Sequence, residues 1–149
     1  MLIALLVALA TGIAISAQVT LSTLTGQIVG PVRTGFLLHL AGAIVSLGIM
    51  AILELTGQGV RQWGLNRAAL TYMLMGGFVG ISIVAGGAFA LPRTGLAAGQ
   101  VTIIMGQMLV SVILDTRGWG LAEPMPLEPR RIAGLLLMAA AAFLLIPRQ

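Results

Sequence analysis

Three polar residues recur every four positions in an otherwise oily stretch, GQMLVSVILDTRGWG (106–120): Gln107, Ser111 and Asp115. At 100° per residue Gln100, Gln107, Ser111 and Asp115 fall within about 80° of one another on a helix and make one stripe. A second stripe lies near the N-terminus, where Thr11, Gln18, Ser22 and Thr25 share a face within about 60°. Amides and hydroxyls in such seams have two uses. They hydrogen-bond to neighbouring helices, at about 0.6 kcal/mol each on average in a membrane, or they line a water-accessible cavity and donate to and accept from a solute. Gln18, Ser22, Gln107 and Ser111 are the candidate lining residues.

Asp115 stands apart because a carboxylate costs roughly 2.5–3.5 kcal/mol at the centre of a membrane helix and far less at its edge. It lies at the end of its run with Arg117 and Trp119 close behind. It is therefore either a solvated helix end or a group at a cavity mouth that attracts a cation or carries a proton. Glu54 ends an earlier run in the same way. His39 is the only histidine, with Gly42 and Ser46 at i+3 and i+7. It cannot build a metal site alone, so it reads as a hydrogen-bonded packing group rather than a proton relay, and it is a candidate substrate contact. Gly76, Gly80 and Gly87 align on one face of a glycine-rich run, and small residues so spaced let two helices approach closely, as a packing surface, or bend the wall of a cavity as a hinge.

The elements that must carry these residues follow from composition. Of 149 residues 58% are hydrophobic and 8% charged, against about 25% charged in a soluble domain. The charge-free runs 1–32, 34–53, 68–92, 94–114 and 132–147 match the roughly 20 apolar residues that a membrane-spanning helix needs. The expected fold class is an all-α integral membrane protein, a single domain of five transmembrane helices at about 1–27, 35–55, 68–91, 96–115 and 129–146. GPVRTG (30–35) and LPRTG (91–95) read as turns because proline and glycine interrupt a helix. The last helix is the shortest, a charge-free core of about 24 Å at 1.5 Å per residue. Residues 1–17 lack a basic start and continue without charge to Val32, so they read as the start of a crossing rather than as a cleaved signal.

All eight basic residues are arginines, and they sit at the ends of apolar runs rather than in one patch. That pattern fits the lipid bilayer as partner and not nucleic acid. With five crossings, Arg61, Arg67, Arg117, Arg130 and Arg131 share the face of the N-terminus, and Arg33, Arg93 and Arg148 the other. Five against three favours a cytoplasmic N-terminus by a small margin. So even a balance suits a chain that inserts both ways up and pairs as an inverted ten-helix dimer. Trp63 and Arg67 suit the headgroup layer. No cysteine is present, so there is no disulfide or thiolate metal site. The absence of lysine removes a phosphate-binding P-loop, no catalytic constellation lies at membrane depth, and neither a cofactor nor a metal is expected.

The motifs GGFVG (76–80), LPRTGLAA (91–98), GQMLVSVILDTRGWG (106–120) and RIAGLLLMAAAAFLL (131–145), with AQVTLS (17–22) and HLAGA (39–43), cover nearly the whole chain. Together they resemble the YdcZ-like family, small five-helix members of the drug/metabolite transporter superfamily. The resemblance implies a multi-pass protein of the bacterial inner membrane that exports small solutes as an antiparallel dimer, of two copies or of two paired homologous subunits. Two positions depart from the family pattern. Ser22 stands where an asparagine commonly follows the first-helix glutamine, and Thr116 and Arg117 stand where a histidine and an aromatic commonly follow the aspartate. Roles of those groups do not carry over. A non-transporting membrane subunit that stabilises a partner protein is the alternative reading, and it has less need of two polar seams.

Overall fold

The computed structural model describes residues 1–59, 65–119 and 123–146. Among them every regular element is an α-helix: α1 (Leu2–Val29), α2 (Pro31–Leu55), α3 (Arg67–Thr94), α4 (Leu96–Arg117) and α5 (Pro129–Leu144). The first four are long and apolar enough to cross a membrane. The 16 residues of α5 rise about 24 Å, somewhat less than the hydrocarbon core. Arg61, Trp63 and Arg148, counted above as membrane-edge residues, lie outside the described residues.

The two expected turns are tighter than the sequence suggested. GPVRTG is not a six-residue turn: Gly30 alone separates α1 from α2, and the helix resumes at Pro31. Proline fits the first helical position because that residue has no intrahelical N–H partner to lose. The Thr34 amide and hydroxyl both donate to the Gly30 carbonyl, at 3.0 and 2.9 Å. LPRTG likewise continues as helix through Pro92 to Thr94, and the break falls at Gly95. Both linkers have the same backbone, φ 89° and ψ 152° at Gly30 and φ 82° and ψ 150° at Gly95. This region is essentially closed to any residue with a Cβ, at a cost of about 1–3 kcal/mol. Gly30→Ala is therefore expected to lower stability by about that amount, read as an earlier unfolding midpoint in mixed micelles.

Two compact units divide the chain, Met1–Phe89 and Ala90–Gln149, with the boundary inside α3. In the first, α1 packs on α2, and small residues carry the closest approaches. Gly26 meets Ala88, and Gly35 lies so near α3 that a Cβ there would stand 2.7 Å from the Ile81 carbonyl oxygen. Thr34 is fully buried, and Ser22 and Thr23 nearly so. In the second unit, α4 packs on α5, and Gly99 accommodates Leu91 and Thr94 across the Gly95 link. Few large apolar side chains are buried: Leu91 is, whereas Leu5, Leu6, Ile13, Ile44, Phe78 and Phe143 all face outward. A water-soluble protein rarely tolerates so continuous an apolar surface. In lipid it costs nothing, and helix association there depends on close backbone contact at small residues rather than on burying leucines.

Candidate functional site

In the first unit the structure brings Gln18 to the helix face that already carries His39, Gly42 and Ser46. Gln18 of α1 and His39, Gly42 and Ser46 of α2, with Leu38 and Ala43, line a hollow of about 360 Å³. Its depth follows from helix geometry at 1.5 Å per residue. Gln18 lies about 4 Å from the midpoint of α1, and His39 and Ser46 about 6 and 4.5 Å from that of α2. The hollow thus lies near the middle of both helices.

The lining side chains differ in what they have left to offer. The Ser46 hydroxyl donates to the Gly42 carbonyl at 2.8 Å, which leaves its oxygen free to accept. His39 Nδ1 lies 2.9 Å from the Gly35 carbonyl oxygen. A carbonyl only accepts, so Nδ1 carries the proton in that bond. On its other side the ring meets α3, where a Cβ at Gly80 would come 2.7 Å from Nε2. The imidazole is thus held by two glycines, one through its carbonyl and one through its missing side chain. Gly80→Ala is expected to displace the ring by a few tenths of an ångström or more. Histidine side-chain NMR signals that match those of the unsubstituted chain would contradict that contact.

The hydroxyls of the α1 seam are satisfied within their own helix: Thr11 donates to Val7, Ser22 to Val19 and Thr25 to Leu21. Such back-bonding removes any need for a neighbouring helix. Ser22 is also buried, so it presents little to a solute. Gln18 is different, because its side chain is exposed in the single chain and has no hydrogen-bond partner among the described residues.

The α4 seam in the second unit behaves similarly. Gln107 and Ser111 are exposed and without a side-chain partner among the described residues, whereas Gln100 has an interaction of its own. Gln107 sits within about 1 Å of the helix midpoint. Met108 and Val112 turn instead toward α5, where with Gly134, Leu135, Met138 and Arg131 they line an apolar groove of about 390 Å³. Helical rotation places Gln107 about 100° from Met108, away from that groove.

Asp115 lies only about 20° from the Met108 direction and so reaches α5. Its Oδ2 accepts from Arg131 Nη1 at 3.4 Å. Its backbone carbonyl accepts from the Met125 amide at 2.9 Å. Arg117, its neighbour in sequence, instead stacks on Trp119 with the guanidinium carbon 5.4 Å from the ring centre. Two residues along a helix is about 200° of rotation, so Arg117 points away from Asp115. The Asp115–Arg131 pair is partly solvent-exposed, 42% and 28% for the two side chains, and contributes about 0–1 kcal/mol after screening. It closes the α4–α5 connection. The Glu54 carboxyl is similarly peripheral, folded over Gly59 just beyond the end of α2.

The glycine face of α3 is used unevenly. Gly80 takes the His39 ring, while nothing stands within 4 Å of where a Cβ on Gly76 would project. Gly87 is half-buried. Sequence reasoning missed Gly35, which both supplies the carbonyl for His39 and abuts α3. The only signal for it was a glycine four residues before the histidine.

A family model described as "Putative inner membrane exporter, YdcZ" matches residues 3–144. The chain belongs to the YdcZ family. The match runs through all five helices of this YdcZ-family protein, so it includes the hollow at Gln18 and His39, the seam at Gln107 and the Asp115–Arg131 pair. The family's description is of inner-membrane exporters rather than of enzymes. No curated protein and no solved structure matches the YdcZ-family chain.

Proposed function

We infer that this chain exports a small solute across the bacterial inner membrane by alternating access, working as an antiparallel dimer. One observation carries the reading: Gln18 and Gln107 each hold an amide near mid-membrane that is exposed and unpartnered among the described residues. An amide moved from water to a medium that offers no hydrogen bond loses about 4–8 kcal/mol. Such a group does not persist against lipid tails; it faces water, a solute or another chain. In the proposed assembly each glutamine-bearing face, uncovered in its own unit, is closed by the second copy, and the solute passes along the faces so covered. Gln18, His39, Gln107 and Ser111 supply contacts, with Asp115 nearer the membrane surface and the buried Ser22 behind Gln18 on α1. The near balance of arginines between the two faces supports dual insertion.

Reporters of cytoplasmic and periplasmic location, fused after Gln149, test the assembly. Signals of both kinds from the same fused sequence are the expected result. One orientation only would remove the antiparallel homodimer and leave pairing with a second, oppositely oriented subunit. The transport claim is tested separately by reconstituting the purified chain in liposomes and screening a solute panel for protein-dependent flux. A chain that moves none of them, yet binds and stabilises another membrane protein, would be a non-transporting subunit.

A further inference from the structure

We propose that the hollow formed by Gln18, His39 and Ser46 selects an uncharged solute, a small amphiphilic molecule carrying both a hydrogen-bond donor and an acceptor. This deepens the transport reading and depends on it for its biological meaning, but the binding claim stands on the hollow itself.

The lining comes first. Among the described residues the Gln18 amide keeps both a donor and an acceptor unspent, and the Ser46 oxygen can still accept while its hydroxyl donates to the Gly42 carbonyl. His39 has committed Nδ1 to Gly35 and packs Nε2 against Gly80. With Nδ1 donating, Nε2 is at most an acceptor, so the donor left in the lining belongs to Gln18, and Gln18 and Ser46 offer further acceptors. Leu38, Gly42 and Ala43 complete the wall and suit a flat apolar body. No side chain of the hollow carries a permanent charge.

The placement of charge over the rest of the molecule then decides the solute's charge. Helix α1 contains no charged residue. On α2 the nearest charges are Arg33, about 9 Å along the axis from His39, and Glu54, about 12 Å from Ser46. On α3, the element packed against the His39 ring, Arg67 and Arg93 each lie about 20 Å from Gly80. An ion in the hollow would have lost its water without gaining a counter-charge, a cost that rules the energetics at membrane depth. Among the described residues the carboxylates (Glu54, Asp115, Glu123 and Glu128) and the arginines (Arg33, Arg67, Arg93, Arg117, Arg130 and Arg131) lie at helix ends or in connections, and a second copy carries the same pattern. A neutral donor–acceptor molecule pays no such cost and satisfies the unpaired amide.

Nicotinamide, nicotinate and N-methylnicotinamide share one ring size and are neutral, anionic and cationic. They are the probes for the full-length chain in lipid nanodiscs, with labelled nicotinamide as tracer. The expected result is saturable nicotinamide binding, with both ions weaker competitors by about tenfold or more. Gln18→Leu should weaken nicotinamide by a similar factor, since it removes the lining's only unspent donor. Gln18→Glu should reverse the order, so that N-methylnicotinamide outcompetes nicotinamide. That gain cannot come from misfolding. Equal competition by either ion, unchanged binding by Gln18→Leu, or no saturable binding of nicotinamide overturns the proposal. Binding of the expected pattern without flux in liposomes would instead remove the transport reading and leave the charge selection standing. Flux of an ion through the intact chain would do the reverse.

Discussion

Gln107→Leu is expected to reduce the flux of any solute the intact chain moves to below about one hundredth, a barrier increase of about 2.7 kcal/mol, with dimer and fold unchanged. Leucine is close to glutamine in length and is a comparable helix former, and it is better suited to lipid. The side chain sits near the midpoint of α4, exposed and about 100° away from the groove with α5, so the substitution disturbs no contact within its own unit. Were the amide only glue between helices, its loss would cost about 0.6 kcal/mol on average and transport would continue almost undiminished. The two readings therefore differ by more than an order of magnitude in rate. Flux in liposomes, with size-exclusion behaviour as the control for assembly, separates them. Near-normal flux would reduce the α4 seam to packing.

Gly35→Ala is expected to destabilise the first unit by about 1–3 kcal/mol, and Gly35→Leu to prevent its assembly. The nearest obstacle to a new Cβ is a backbone oxygen, Ile81 at 2.7 Å, with Ile81 Cγ2 and Ala85 Cβ at 3.2 and 3.3 Å. A backbone carbonyl held in α3 cannot swing aside as a flexible side chain would, so α2 and α3 must separate. Gly76→Ala provides the contrast. Nothing lies within 4 Å of its Cβ position, so alanine is expected to be neutral or to stabilise by up to about 1 kcal/mol through helix propensity. Unfolding in mixed micelles measures both. Equal midpoints for the two variants would mean that the approach of α2 to α3 does not depend on Gly35.

These two glycines show where sequence reading stops. Gly76, Gly80 and Gly87 share a face by arithmetic, but a face says nothing of what stands opposite. Only the packed structure shows Gly80 against a histidine ring and Gly76 against open space. The same limit applies to Asp115. Its neighbours in sequence, Arg117 and Trp119, pair with one another, while its own partner, Arg131, comes from the next helix. The linkers were misjudged for a different reason. Proline reads as a breaker in a string of letters, but Pro31 opens a helix and Pro92 lies in the last turn of one, and the break belongs to a single glycine in each case.

Composition and hydropathy alone determined the membrane class, the helical elements and their approximate limits, because the thickness of the hydrocarbon core sets a length that any spanning segment must meet. The motif pattern carried the family. Rotation at 100° per residue defined the polar seams, since it is a property of one helix and needs no neighbour. Which seam residues keep an unspent hydrogen bond was decided only in three dimensions. The threonines and Ser22 turn back to their own helix, and Gln18 and Gln107 do not. The meeting of Gln18 with His39 and Ser46 was equally a matter of tertiary structure, because it depends on how α1 lies against α2, and that is set by one glycine linker and a few close contacts at small residues.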